Sequence, residues 1–324
     1  MDIKLKINKQ EESLNNLNNN ELSLLLSGKD INYAIVNTIR RLIMSSIPIY
    51  AFHQDDMKFD INTSVFNNDM LKDRFRNIPI FNIDNDESTI NSFDELESRK
   101  LRITDKTNNL TMFINVRNNK DTILNVTTNE ALFYYKGVQI DSPYKKPLLL
   151  VKLKKGQELK VTCIASLNIG KNDAIYNGSM AYHYYEDDNK DKKQFELVIN
   201  TTRQLDEFEL LLRACQILIN KTHKLEKLIL FNLEKEDDKE ILNKGLLKIQ
   251  DENATLGSLI SYYLQDTKNM EFAGYQIPFL YMNEILIRYR TDGKDNKSII
   301  EILKKVFNQI RDIFYHIEKE IKKL

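Results

Sequence analysis

The chain has 324 residues, 42% hydrophobic and 29% charged, which is enough apolar material for one large core or two ordinary ones and too much for a disordered chain. Lys plus Arg and Asp plus Glu both number 47, so no whole-protein basic field exists to collect nucleic acid, and charge-driven DNA binding is disfavoured. Two cysteines, Cys163 and Cys215, and four histidines cannot build a disulfide framework or a four-thiolate zinc site, which points to a reducing compartment. No apolar run reaches the length of about 18 residues that a membrane span needs, and no basic-then-apolar leader opens the chain. The expectation is a soluble intracellular protein.

In chain order, Ile3 to Ile7 reads as a short strand, followed by the polar stretch Glu11 to Asn20, a hairpin tip or loop. Leu22 to Leu26 is strand-like. Ile31, Ala34, Ile35, Ile39, Leu42, Ile43 and Ile47 then follow the 3.6-residue period of a half-buried helix, with Asp30 placed to cap it and Pro48 to stop it. From Ala51 to Tyr185 the pattern changes to short strands broken by Asn/Asp turns, clearest at Leu148 to Leu153 and Leu159 to Ala165. The charged turn Glu186 to Lys193 closes this region. Gln194 to Asn200 is a strand, and Arg203 to His223 is a helix carrying Leu205, Phe208, Leu212, Cys215 and Ile219 on its apolar face. Glu234 to Glu240 reads as a charged linker.

Beyond the linker come a strand at Leu246 to Gln250, a helix at Leu256 to Gln265, a strand at Ile285 to Arg290 and a final helix from Ile299. Ser298 with Glu301 forms a capping box, and Leu303, Val306, Ile310, Ile313, Ile317 and Leu324 form an a/d-like seam. Burying some six such side chains is worth about 10 kcal/mol gross, too much for a helix left in solvent. The two ends of the chain therefore form a weak internal repeat, the first copy split by the strand-rich region, and the two half-units can pair inside one chain.

Little in the sequence carries catalytic chemistry. Gly28-Lys29 and Gly170-Lys171 lack the upstream glycine and the following Ser or Thr of a phosphate-binding loop. The acid groups Asp55-Asp56, Asp84/Asp86-Glu87 and Asp187-Asp188 sit among turn residues, where solvation is the simpler reading than a metal site or acid/base work. His53, His183, His223 and His316 have no neighbours at ligand spacing, and both cysteines read as buried thiols. Arg40-Arg41 admits two readings: a solvated helix face, or a guanidinium pair held on a rigid helix for the carboxylates or carbonyls of another subunit.

The stretch Asn37-Thr38-Ile39-Arg40-Arg41-Leu42-Ile43-Met44-Ser45-Ser46-Ile47-Pro48 resembles the helix motif of the alpha-like assembly subunits of multisubunit RNA polymerases: bacterial alpha, archaeal D and the third subunit of the eukaryotic nuclear enzyme. Asn62 to Val65 with Asp69, Arg74 and Ile78-Pro79 resembles the segment that follows in the archaeal and eukaryotic branch. Lys152 to Ala165, then Ile169-Gly170-Lys171, Ala174 and Tyr176, is a third match in order. Asn253 to Leu259 and Glu271 to Pro278 look like the eleventh subunit and archaeal L. Asp73 and Arg76 depart from the family, which usually has a histidine and a glycine there, and the four-cysteine metal loop of many third subunits is missing.

The resemblance implies an α+β fold: an alpha-like dimerisation domain made by two half-units in one chain, with a strand-rich insertion in the first. Residues 1–51 and 194–233 would form the third-subunit-like half, 52–193 the insertion, 234–245 the linker and 246–324 the eleventh-subunit-like half. It further implies a non-catalytic assembly platform of a DNA-dependent RNA polymerase, with no cofactor and no metal. Phe208, Leu212, Cys215, Ile219, Leu303, Val306, Ile310, Ile313 and Ile317 would close the intramolecular dimer. Asn37, Arg40, Arg41, Thr255, Leu256 and Gly257 would face the beta-like and beta-prime-like catalytic subunits, and small accessory subunits would add to the assembly. Nucleic acid would be met only indirectly. A large DNA virus fits the Asn/Lys-rich composition, with a cytoplasmic replication site or the virion as location; otherwise nucleus or cytoplasm is expected. The rival readings are a stand-alone protein-binding scaffold of the same fold and, from a different class, a metal-dependent hydrolase using the turn carboxylates.

Overall fold

The computed structural model describes residues 1–11, 20–81, 92–99, 101–104, 109–189, 192–201, 204–234, 244–268, 270–279, 284–292 and 299–324. Strands β1 (Lys4–Glu11) and β2 (Asn20–Gly28) form an antiparallel hairpin, and most of the polar stretch between them lies outside the described residues. The sheet is completed by β10 (Ser179–Asn189) and β11 (Lys192–Thr201), in the order β1-β2-β11-β10. Its register places Phe195, Leu197 and Ile199 opposite Leu26, Leu24 and Leu22, so the period-2 alternation of both strands delivers one apolar face to the core. Gly28 holds φ near +140°, and a Cβ there would lie 1.9 Å from the carbonyl oxygen of Asp2; only glycine lets the end of β2 pass so close to the amino terminus.

Helix α1 (Tyr33–Ser45) lies under this sheet and buries Ala34, Ile35, Val36, Thr38, Ile39, Leu42 and Ile43. Its cap is Asn32, whose Oδ1 accepts the Ile35 N–H at 3.0 Å, and not Asp30 as the sequence reading had it. The Asp30 carboxylate instead accepts the backbone N–H of Asp2 at 2.7 Å, while Ile31, just before the cap, is fully buried. The helix stops before Pro48, as expected.

The long strand β3 (Ile49–Asn62) leads into the insertion. There a five-stranded sheet, β3-β9-β4-β6-β7, is built with β4 (Thr111–Arg117), β6 (Ala131–Tyr135), β7 (Val138–Ile140) and β9 (Glu158–Asn168). A two-stranded ribbon of β5 (Leu124–Thr127) and β8 (Leu149–Leu153) covers it. These strands enclose a separate core running from Phe52 to Ala165. Two short helices, α2 (Asn68–Arg76) and α3 (Phe93–Arg99), were not anticipated, because two buried apolar residues in α2, Leu71 and Phe75, are too few to display a period. The expected insertion boundary at residue 193 also differs from the structure. β10 pairs with β11 along its length, and Leu167, Ile169 and Ala181 belong to the first core, so the described residues of the Glu186 to Lys193 stretch belong to the first sheet.

Helix α4 (Glu207–Glu234) starts later and runs further than Arg203 to His223. The Asp206 carboxylate accepts the Glu209 N–H at 2.6 Å and sets the start. The charged linker after it lies almost wholly outside the described residues. The second unit contains β12 (Lys244–Gln250), α5 (Ala254–Gln265), β13 (Met270–Gln276), β14 (Glu284–Thr291) and α6 (Ile299–Ile321), with the sheet order β12-β14-β13. Ser298 of the proposed capping box is outside the described residues. Leu303, Val306, Ile310, Ile313 and Ile317 of α6 are all buried, joined by Ile302, Phe307 and Phe314, whereas Leu324 lies past the helix end and is 44% exposed. On α4, Cys215 and Ile219 are buried but Phe208 and Leu212 sit half-buried at the margin; Leu210, Leu211, Ala214, Ile217 and Leu218 fill the centre. The helix faces both a sheet and α6, so its apolar stripe is wider than a coiled-coil seam.

A single apolar cluster joins β1, β2, β11, α1 and α4 of the first unit to β12, β14, α5 and α6 of the second. Ile310→Asp, which places an unpaired charge at a fully buried position of this cluster, is expected to cost at least about 3 kcal/mol in urea unfolding, against about 0.5 kcal/mol or less for Leu324→Ser.

Candidate subunit interface

The joint between the two units carries polar ties as well as apolar packing. Arg311, on the buried face of α6, donates from Nη1 to Glu226 Oε2 on α4 at 2.6 Å, with both side chains largely removed from solvent. Asn32, already the cap of α1, donates from Nδ2 to the Tyr263 hydroxyl of α5 at 3.0 Å. His316 Nε2 donates to the Ile3 carbonyl at 3.0 Å, pinning α6 to the outer end of β1. A buried polar pair across such a joint tolerates no slip, because any other register leaves both partners unsatisfied.

A fourth tie joins three segments. Lys221 Nζ on α4 lies 2.8 Å from Glu97 Oε1 of α3 and 3.1 Å from Glu252 just before α5, with the Phe93 ring centroid 5.5 Å away. Lys171 adds a second ammonium to Glu97 at 3.0 Å. The two carboxylates respond oppositely. Burial opposes ionisation of Glu97, but two lysine charges and their hydrogen bonds outweigh it and hold the carboxyl below its ordinary value. Burial pushes the Glu252 carboxyl up, and the facing Glu97 charge adds to this, because among the described residues Lys221 is its only ammonium at contact distance. Burial works against the Lys221 ammonium, but Glu252 and Glu97 more than compensate and raise it.

The arginine pair sits on α1 with both side chains half-buried. Arg40 is held along the helix: Nε and Nη2 donate to Asn37 Oδ1 at 3.2 and 2.9 Å, and Nη1 approaches Met44 Sδ at 3.6 Å. Partial burial, then the charge of Arg41, lowers the pKa of its guanidinium, and the Arg40 charge in turn adds to burial in depressing His183 on β10. Arg41 has no ion-pair partner among the described residues. The expected face is therefore two different groups, one braced and one available.

The start of α5 behaves differently from expectation. Asn253 caps it, accepting the Thr255 N–H at 2.8 Å. Thr255 and Gly257 are buried and Leu256 is 2% exposed within the shared core, so the Leu256 side chain cannot face a partner. Gly257 does admit a close neighbour, but that neighbour is a side chain rather than a backbone: a Cβ would stand 3.0 Å from the Tyr275 ring and 3.2 Å from Ile285.

Of the acid pairs, Asp55 and Asp56 are not free turn carboxylates. Arg102 lies 3.3 Å from Asp55 and 2.8 Å from Asp56. Asp84, Asp86, Glu87 and the side chains of Asp187 and Asp188 are outside the described residues. Burial pushes the Cys163 thiol up to about 12 and Cys215 higher still, as suits inert core groups. Among the described residues, no three or more His, Cys, Asp or Glu side chains gather as a metal site. No described helix is long and apolar enough to cross a membrane.

The departure from the family pattern at Arg76 also has a structural use: its Nη2 donates to the Asp173 carboxylate at 3.2 Å, bracing α2 against the turn before β10. Sequence reading missed Lys221, Glu226 and Arg311. Their signal was a charged residue recurring at the apolar spacing of a helix, as Lys221 does between Leu218 and Leu225.

Two α+β half-units that close one core around paired long helices define an intramolecular dimerisation fold. The family of RNA polymerase Rpb3/Rpb11 dimerisation domains matches residues 26–222 and, separately, residues 244–320, and the chain belongs to this family. Protein R470 of Acanthamoeba polyphaga mimivirus, which by its name is assigned as a DNA directed RNA polymerase subunit, is 26% identical over 96% of this chain and 94% of its own length. The DNA-directed RNA polymerase subunit Rpo3 of Pyrobaculum arsenaticum is 27% identical over 47% of this chain and 54% of its own. Subunit 3 of the Arabidopsis thaliana DNA-directed RNA polymerases II, IV and V is 27% identical over 49% and 52%.

Replacing Lys221 by Met leaves Glu252 without its ammonium and facing Glu97, which keeps only Lys171, and at pH 7 a loss of about 3 kcal/mol is expected. In the wild type the depressed Glu97 contributes stability that is present at neutral pH and lost as the carboxyl takes up a proton; the raised Glu252 works in the opposite sense. The cost of the variant should therefore shrink as pH falls toward about 4, where the Glu252 carboxylate left without its ammonium becomes neutral. Urea unfolding of both proteins at several pH values measures it.

Proposed function

We propose that this Rpb3/Rpb11-like polymerase subunit is the non-catalytic assembly platform of its enzyme, the chain on which the beta-like and beta-prime-like catalytic subunits and small accessory subunits gather. The observation that carries the proposal is the single core shared by both halves: a pair that elsewhere comes as separate chains is already closed here, leaving its outer surfaces for other subunits. Arg41 is the docking group for the beta-like subunit, available for bidentate contact to carboxylates or carbonyls, and Arg40 with Asn37 stiffens its surroundings. Catalysis belongs to the partners. The end-to-end match to a mimivirus protein supports a viral polymerase, with the cytoplasmic replication site or the virion as its location.

Affinity purification of the tagged chain from its native source, followed by mass spectrometry, should recover the large catalytic subunits; purification alone or with unrelated proteins would favour the scaffold reading. Arg41→Ala should leave the unfolding midpoint unchanged and lower recovery of the beta-like subunit about tenfold, the equivalent of about 1.4 kcal/mol. Undiminished recovery would remove Arg41 from the interface.

A further inference from the structure

Where β13 lies along α5, close to the start of α1, the surface forms a groove lined by Tyr33, Tyr262, Tyr275, Ser261, Gln265 and Asp266, with Ser258, Ala273 and Gly274 completing its wall. Its rings are held, not loose. Tyr33 and Tyr262 meet edge to face, centroids 5.6 Å apart and planes at 89°, and Tyr275 is seated over Gly257. Yet the groove is open: Tyr33 is 57% and Tyr275 40% exposed. Exposing two large aromatic rings beside a fixed third is costly unless something covers them.

The polar groups state what that something must carry. Asp266, at the end of α5, is exposed and has no ion-pair partner among the described residues. Among the described residues it is the sole charge on the groove wall. Burial and the Asp266 charge together raise the Tyr262 phenol, which places the carboxylate beside the ring. Gln265 is already engaged, accepting the Ala273 N–H at 2.7 Å. An anionic ligand would meet Asp266 unopposed, and a purely apolar one would bury that carboxylate without a partner.

We propose that this groove receives an arginine side chain of a partner polypeptide. Its guanidinium would stack on the tyrosine rings and pair with the Asp266 carboxylate. Arginine suits the groove better than lysine because its planar fork stacks on rings while its paired donors can meet both oxygens of one carboxylate. The inference rests on the groove and does not require the polymerase reading.

The test uses the full chain in its native source, with Tyr275 replaced by the photo-reactive p-benzoylphenylalanine and the cross-linked peptides identified by mass spectrometry. The expected product is a segment of another protein with arginine within about five residues of the attachment. Asp266→Arg should cut its yield at least about fivefold while leaving the unfolding midpoint unchanged, and Asp266→Glu should retain it. No cross-link, attachment to nucleic acid, a segment lacking arginine, or a yield indifferent to Asp266→Arg would each overturn the proposal. In parallel, a capped arginine peptide should shift the Tyr33 and Tyr262 ring resonances of the purified chain, and its citrulline counterpart should not; equal shifts would overturn it. An arginine-bearing cross-link to a protein outside any polymerase would keep this inference and sink the platform reading. Recovery of the catalytic subunits with a charge-indifferent cross-link would do the reverse.

Discussion

The packing of α4 against α6 is the interaction on which the remaining structure depends. Each helix carries an apolar stripe too wide to be satisfied by its own unit's sheet, and each covers the other's excess. Strands β1, β2 and β11 on one side and β12 and β14 on the other then close over the pair. Once these helices are engaged, α1 and α5 meet each other across the same joint, where Asn32 reaches Tyr263 and Tyr33 reaches Tyr262. The arginine pair and the tyrosine groove follow from that placement. Covalent continuity helps: Glu234 and Lys244 belong to one chain, so pairing is an intramolecular event with a high effective concentration rather than a search between molecules.

Apolar packing alone would leave the joint poorly specified, since leucine and isoleucine faces tolerate sliding. The buried polar ties remove that freedom. Arg311 with Glu226 fixes α6 along α4, and Lys221 gathers acids from α3 and the start of α5 onto one point. Their net contribution to stability is modest because each ion surrenders its hydration on burial. Their contribution to uniqueness is larger, because a shifted helix would strand several buried charges at once. Arg76 with Asp173 and Arg102 with Asp55 and Asp56 do the same for the insertion, a second core attached by β3 and β9.

Much of this was legible in the sequence where a residue period was strong. The five buried positions named on α6, Leu303 to Ile317, were read from spacing alone, and the strand alternation around Cys163 was equally plain. What could not be read was any feature set by a distant neighbour. Asp30 and Asn32 are both acceptable caps locally; the burial of Ile31 and the approach of Tyr263, 231 positions away, place the cap at Asn32. α2 and α3 are too short to show a period. Leu256 falls in a motif that suggested an interface, but its burial is decided by how α5 meets the rest of the core. The aromatic groove was invisible because Tyr33, Tyr262 and Tyr275 come from three segments and none is unusual alone.

The pairing of Glu226 with Arg311 has a further consequence once both are seen to be encoded in one gene. In a dimer of separate subunits, a change of sign on one side of the seam must wait for a matching change elsewhere in the genome, and every intermediate mispairs. Here compensating changes are inherited together. Such a seam is free to drift into a private code that related half-units present in the same cell no longer match, so the fusion secures fidelity of partner choice as well as closeness.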